Sequence, residues 1–212
     1  MTLHAPSRHD ITGLILAGGR GSRMGGVDKG LQPLAGQPLV WHALQRLQPQ
    51  VSSVIINANR HVPAYQQLGA AVHPDPLEDF QGPLAGFLVG LQEARTPYVL
   101  TVPCDSPRFP LDLAARLSQA LQQETADIAM VSAPEIDRDG TTVLRSQPVF
   151  CLLPVRLLGS LRDFLAAGER KIDRWTAQHR TVLVPFDGPQ DDPAAFANIN
   201  TLAELNALPA AS

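Results

Sequence analysis

The chain has 212 residues, 44% of them hydrophobic and 17% charged, which suits one sizeable core and rules against a disordered polypeptide. Its net charge of −3 argues against a general nucleic-acid binder. No apolar run reaches membrane-spanning length, the N-terminus carries no secretory core, and two cysteines, Cys104 and Cys151, supply neither a disulfide framework nor a four-cysteine zinc site, so a cytoplasmic protein is expected.

In chain order, Thr12 to Ala17 is a short apolar run that reads as a buried first strand. Gly18 to Gly30 follows as a loop rich in glycine and arginine. Pro38 to Leu47 has helical spacing of its apolar residues, with proline in its first turn. Val51 to Ile56 is β-branched and reads as a second strand, Pro63 to Leu68 as a short helix, and Ala70 to His73 as a strand stopped by Pro74-Asp75-Pro76. Pro83 to Arg95 is a further helix and Tyr98 to Val102 a further buried strand, closed by the turn sequence Pro103-Cys104-Asp105-Ser106-Pro107. Leu111 to Gln122 reads as a helix and Asp127 to Ser132 as a strand. Glu135 to Thr142 is a polar loop. Gln147 to Leu152 is a strand whose internal Pro148 points to an edge or a strand start. Pro154 to Ala167 and Arg170 to His179 are helical, Thr181 to Phe186 is a late strand, and Thr201 to Glu204 is a capping box that opens a last helix.

Strands alternating with helices give an α/β fold: a single Rossmann-like domain over residues 10–208, with a mostly parallel twisted sheet flanked by helices. A C-terminal elaboration would contain an edge or antiparallel strand, and residues 1–9 and 209–212 would be flexible tails.

In such a sheet, ligands bind beyond the carboxyl ends of the strands. Four strand ends here carry polar or glycine-rich segments: Gly18–Lys29, Asn57–Arg60, His73–Asp75 and Cys104–Ser106. The first holds Gly18, Gly19 and Gly21, whose backbone can approach phosphate oxygens, together with Arg20, Arg23 and Lys29, which can neutralise a triphosphate. It is not a P-loop, because Asp28-Lys29-Gly30 stands where Gly-Lys-Ser/Thr is needed, and Met24 breaks the dinucleotide fingerprint. Lys29 is one of only two lysines, against fifteen arginines, as if a compact ammonium were wanted there. Residues 1–74 carry a net +4 and the remainder −7, a division that suits an anionic ligand with a carboxylate-held metal. Asp105 can hold Mg²⁺ as one of few protein ligands, although the same residue suits a turn. Asn198 and Asn200 alternate around Ile199 and could share one face of an extended segment, or cap the helix that follows. Cys104 reads as a small buried hydrophobe, and the six histidines lack metal spacing.

The segment Leu16-Ala-Gly-Gly-Arg-Gly-Ser-Arg-Met-Gly-Gly-Val-Asp-Lys29 resembles the opening signature of a nucleotidyltransferase superfamily. With Asn57-Ala-Asn-Arg60, Gly82-Pro-Leu-Ala-Gly86, Pro103-Cys-Asp105 and Asn198-Ile-Asn200, it is most similar to the MobA-like molybdenum cofactor guanylyltransferases over residues 11–206. The resemblance implies transfer of GMP from GTP to the terminal phosphate of molybdopterin, with Mg²⁺ as cofactor. Implied partners are GTP, molybdopterin with or without molybdenum, and proteins of cofactor delivery and molybdoenzyme maturation; no nucleic acid or membrane is implied. It also implies nucleotide contacts at Leu16, Ala17, Gly18, Lys29, Asn57, Asp75 and Gly82, and metal at Asp105 with Asn198 or Asn200. On position alone, the pterin falls between the glycine-rich loop, Arg145–Phe150 and Gly168–Lys171. Alternatives are a cytidylyltransferase for the same cofactor, a sugar-phosphate nucleotidyltransferase, and a non-catalytic nucleotide-binding assembly module.

Overall fold

A computed structural model describes residues 4–17, 28–76, 82–137 and 139–199. Gly18, Gly19, Gly21, Arg23 and Asn200, and the helix expected at Thr201, lie outside the described residues.

Strand β1 (Ile11–Leu16) leads out of the N-terminal segment. After a single 3₁₀ turn at Lys29–Leu31, the short strands β2 (Pro33–Leu34) and β3 (Gln37–Pro38) form a two-stranded ribbon before helix α1 (Leu39–Leu47). Then come β4 (Ser53–Asn57), α2 (Val62–Gln66), β5 (Ala71–His73), α3 (Pro83–Glu93), β6 (Tyr98–Pro103) and α4 (Leu113–Gln123). The last third contains β7 (Ile128–Ile136), β8 (Thr142–Pro154), α5 (Leu158–Ala166), α6 (Ile172–Thr176) and β9 (Thr181–Pro185). Each expected strand and helix in the described region is present, with ends shifted by a few residues.

The seven-stranded sheet runs in the order β5-β4-β1-β6-β8-β7-β9. Only β8 is antiparallel to its neighbours. Alternate side chains feed two helical layers, as strand periodicity requires. Ile15, Leu100 and Leu152 pack with Val40, Leu44, Tyr65 and Leu117, from the side of α1, α2 and α4. Leu14, Val99 and Leu153 pack with Phe87, Leu88, Leu161 and Trp175, from the side of α3, α5 and α6. Among the described residues, no helix is long and apolar enough to cross a membrane.

Two local expectations are corrected. Pro148 does not mark an edge: β8 lies inside the sheet, and its register against β7 jumps from Met130↔Cys151 to Val131↔Gln147. Pro148 sits in that bulge, where its missing N–H costs no ladder bond. The polar stretch Glu135–Thr142 is not all loop, since Glu135 and Ile136 belong to β7 and Thr142 to β8. Its charges pair across the ribbon: Arg145 donates to both oxygens of Asp137 at 2.9 Å, and Gln147 donates to Glu135 at 2.7 Å. Polar residues that satisfy one another across strands extend a ribbon as well as apolar ones do.

Candidate active site

The strand register lays the candidate residues along one rim. At the carboxyl ends of β5, β4, β1 and β6, His73 pairs with Asn57, Asn57 with Leu16, and Leu16 with Pro103. The chain leaves each strand from this row, so Asp75, Ala17 and Asp105 emerge on the same side. Two backbone bonds knit the row together: Ala17 N–H donates to Asn57 O at 2.8 Å, and Cys104 N–H donates to Leu16 O at 3.1 Å.

At the β6 end, Lys29 Nζ donates to Asp105 Oδ2 at 2.7 Å, with each side chain about four-fifths covered. The pair joins residues 76 positions apart in sequence. The C-terminal segment crosses here. Ile199 N–H donates to Asp105 O at 2.8 Å, and Ser106 Oγ donates to Asn198 Oδ1 at 2.6 Å. Arg116 anchors this segment upstream. It donates to both oxygens of Asp191 and to Pro185 O, and its guanidinium lies 3.5 Å above the Phe186 ring. Phe196, edge-on to both Phe150 and Phe186, seats the segment in the core.

At the β4 and β5 ends, Asp75 is held by two asparagines. Asn57 Nδ2 donates to its Oδ1 at 2.9 Å, and Asn59 Nδ2 to its Oδ2 at 2.7 Å, while Asp75 N–H donates to Asn59 Oδ1 at 2.7 Å. The expected pair Asn57 and Asp75 therefore meet directly. Asn59 is an addition; it alternates with Asn57 around Ala58, the same signal read at Asn198 and Asn200.

Gly82 precedes α3 with φ +78°. A Cβ built on it meets nothing within 4 Å, so the need for glycine there comes from the left-handed backbone. Gly86 is the glycine of close approach. A Cβ there would lie 2.6 Å from Asn57 Oδ1 and closer still to the Leu16 side chain. Sequence reading passed over its role because a glycine inside a helix gives no sign of what it faces.

Asp28 is a second addition. Its side chain is nearly buried, which a carboxylate tolerates only with partners. Tyr65 Oη donates to Oδ1 at 2.6 Å, and His61 Nδ1 lies 3.0 Å from Oδ2. Burial pushes the Tyr65 phenol well above its ordinary range, with the neighbouring Cys104 and Asp28 adding to the effect. It therefore remains a donor. The Cys104 thiol is raised too, first by burial and then by Asp105, so it remains a neutral core thiol. Among the described residues, no group of three or more His, Cys, Asp or Glu forms a metal cage.

The chain matches the family model of the MobA-like NTP transferase domain over residues 13–182. It is 67% identical to a molybdenum cofactor guanylyltransferase of Acidovorax sp. (strain JS42), covering 94% of this chain and 95% of that one. It is 59% identical to a molybdenum cofactor guanylyltransferase of Ralstonia nicotianae, covering 94% and 96%. Among solved structures, molybdopterin-guanine dinucleotide biosynthesis protein A from Archaeoglobus fulgidus shares the fold with a TM-score of 0.70 at 20% identity, over 92% of this chain and 95% of that one. A 4-diphosphocytidyl-2C-methyl-D-erythritol synthase from Anaerococcus prevotii shares it with a TM-score of 0.68 at 13% identity, over 93% and 95%. With this extent of match along the chain, and with Lys29 and Asp105 meeting on one strand-end rim, the protein belongs to the MobA-like NTP transferase family, alongside the molybdenum cofactor guanylyltransferases.

Proposed function

We propose that the chain transfers GMP from GTP to the terminal phosphate of molybdopterin, giving a guanine dinucleotide cofactor and pyrophosphate. The observation that carries this reading is the placing of Lys29 with Asp105 and of Asn57 with Asp75 along a single row of strand ends. Three inter-strand spacings separate β5 from β6, about 14 Å at roughly 4.8 Å each, the scale on which a nucleoside triphosphate extends. A nucleotide along the row sets its base and ribose against Asn57, Asp75 and Gly82. Its phosphates then lie against Lys29 and the segment holding Gly18, Gly19, Gly21 and Arg23.

An oxygen of the molybdopterin phosphate attacks the α-phosphorus of GTP, the bond to the β-phosphate oxygen breaks, and pyrophosphate leaves. The protein forms no covalent bond in this reaction; it positions two anions and offsets their charge. Lys29 has three donors, so it can hold a phosphate oxygen while remaining near Asp105.

The donor set at the β6 end suits Mg²⁺. It consists of hard oxygens, namely the Asp105 carboxylate and the amide oxygen of Asn198, which Ser106 holds at the same strand end, and Mg²⁺ typically takes one or two carboxylates together with phosphate oxygens and waters. Bound there, Mg²⁺ would supply Lewis-acid stabilisation of charge on the phosphates. On the acceptor side, Arg145–Phe150 of β8 run past the carboxyl end of β6, since β8 is antiparallel to β6 with Cys151 opposite Thr101, and Gly168–Lys171 follow α5. We place the pterin between them and the glycine-rich segment. Residues 10–208 serve as one working domain, since the segment after β9 returns to Asp105 at the end of β6.

The test is pyrophosphate release by purified protein with Mg²⁺ and molybdopterin, comparing GTP with CTP, ATP and UTP. Release with GTP alone is expected. Release with CTP instead would overturn the base assignment, and release with none would overturn the reaction.

A further inference from the structure

We infer that Tyr65 is a positioning residue for Lys29, acting through Asp28. This deepens the guanylyltransferase reading and rests on it for the role of Lys29.

Asp28 directly precedes Lys29, at the start of the one-turn 3₁₀ helix Lys29–Leu31. Wherever Asp28 is fixed, the Lys29 backbone is fixed, and the reach of its ammonium to Asp105 follows. Asp28 is fixed on several sides. Tyr65 Oη and His61 Nδ1 take one carboxylate oxygen each, and Gln32 Nε2 donates to its backbone carbonyl at 3.1 Å. An ionised carboxylate only accepts, so the His61 nitrogen that faces it carries the proton.

The site is shaped for this contact. Tyr65 is wholly buried on α2, yet its hydroxyl points at Asp28. Gly30, on the far side of Lys29, makes room: a Cβ there would sit 2.5 Å from Tyr65 Oη. His61 adopts φ +49°, a left-handed conformation uncommon for a side-chain-bearing residue, and it stands directly before α2. The segment from Asn57 through Asn59 to His61 and Tyr65 therefore runs from the Asp75 cluster to the residue before Lys29. It ties the base side of the row to the phosphate side.

The test uses Tyr65→Phe, which removes one hydroxyl and leaves the ring in the core. Turnover should fall about tenfold in the otherwise unaltered protein and less than about twofold in a Lys29→Ala background, because residues acting through one another are not additive. A purely structural role would give equal losses in both backgrounds and would overturn the inference.

A second readout needs no activity. Lys29 and Lys171 are the only lysines, so selective ¹³Cε labelling gives two side-chain signals, assigned by the Lys29→Ala spectrum. In Tyr65→Phe, the Lys29 signal should move toward that of exposed Lys171, which should stay in place. An unmoved Lys29 signal overturns the inference even if wild-type protein proves active. Failure of wild-type protein to release pyrophosphate would refute the guanylyltransferase reading and leave the NMR comparison to decide the positioning role. Asp28→Asn, which keeps the shape and loses the charge, should shift the same signal and serves if Tyr65→Phe does not fold.

Discussion

Replacing Gly86 with alanine sets two known effects against each other. An alanine inside a helix is favoured over glycine by up to about 1 kcal/mol. At Gly86, however, the new Cβ would lie 2.6 Å from Asn57 Oδ1, where ordinary contact begins at 3.4 Å, and closer still to the Leu16 side chain. Asn57 is 3% exposed and donates to Asp75, so it has little room to yield. Overpacking of this kind costs about 1–3 kcal/mol. Set against the full helix gain, the net loss reaches about 2 kcal/mol, which for a chain of this size lowers Tm by up to roughly 8 °C. A displaced Asn57 also gives up its bond to Asp75, of the order of 1 kcal/mol, so GTP should bind several-fold more weakly. Gly159 in α5 is the control. A Cβ there meets nothing within 4 Å, so Gly159→Ala should leave Tm unchanged or raise it. Differential scanning calorimetry and GTP titration of both variants decide the matter. If Gly86→Ala matched wild type in Tm and in GTP affinity, the close-approach argument would be refuted.

Lys29→Ala should cost at least about 2.7 kcal/mol of transition-state stabilisation, roughly a hundredfold in turnover, and a loss below tenfold would remove Lys29 from its assigned role. Asp105→Asn should shift or abolish the Mg²⁺ dependence of pyrophosphate release; an unchanged metal titration contradicts the metal assignment. Burial holds His179 below its ordinary value, against the opposing pull of Asp127, while its Nε2 lies 3.0 Å from Ser160 Oγ. The folded state therefore resists a proton that the unfolded chain accepts. The stabilisation from neutral His179 is full above pH of about 6.5 and is lost as pH falls below it. In His179→Gln, urea midpoints should depend less on pH across that window, and an unaltered dependence would refute this.

Much of the fold was legible because its signals are local. The β-branched and apolar runs at β1, β4 and β6 are buried strands and read as such. The bulge at Pro148 was not legible, because proline in a strand gives the same local signal at an edge and in a bulge. Neither were Glu135 and Ile136 as strand, because pairing with Gln147 and Thr142 is a property of two segments. At the site, the residue types were readable and the partners were not. Lys29 and Asp105 stood out singly, but their contact depends on the order in which strands enter the sheet. Asp28 was visible in the motif, whereas its partners Tyr65 and His61 lie beyond β4 with no pattern to mark them.

The most direct test of the central claim follows the α-phosphorus. Protein, Mg²⁺ and molybdopterin are incubated with GTP labelled either at the α- or at the γ-phosphate, and the products are separated. Transfer of GMP predicts α-label in the pterin dinucleotide and γ-label in pyrophosphate, in equal amounts. Label from the γ-position in inorganic phosphate or on the pterin, with α-label left in GDP, would contradict it.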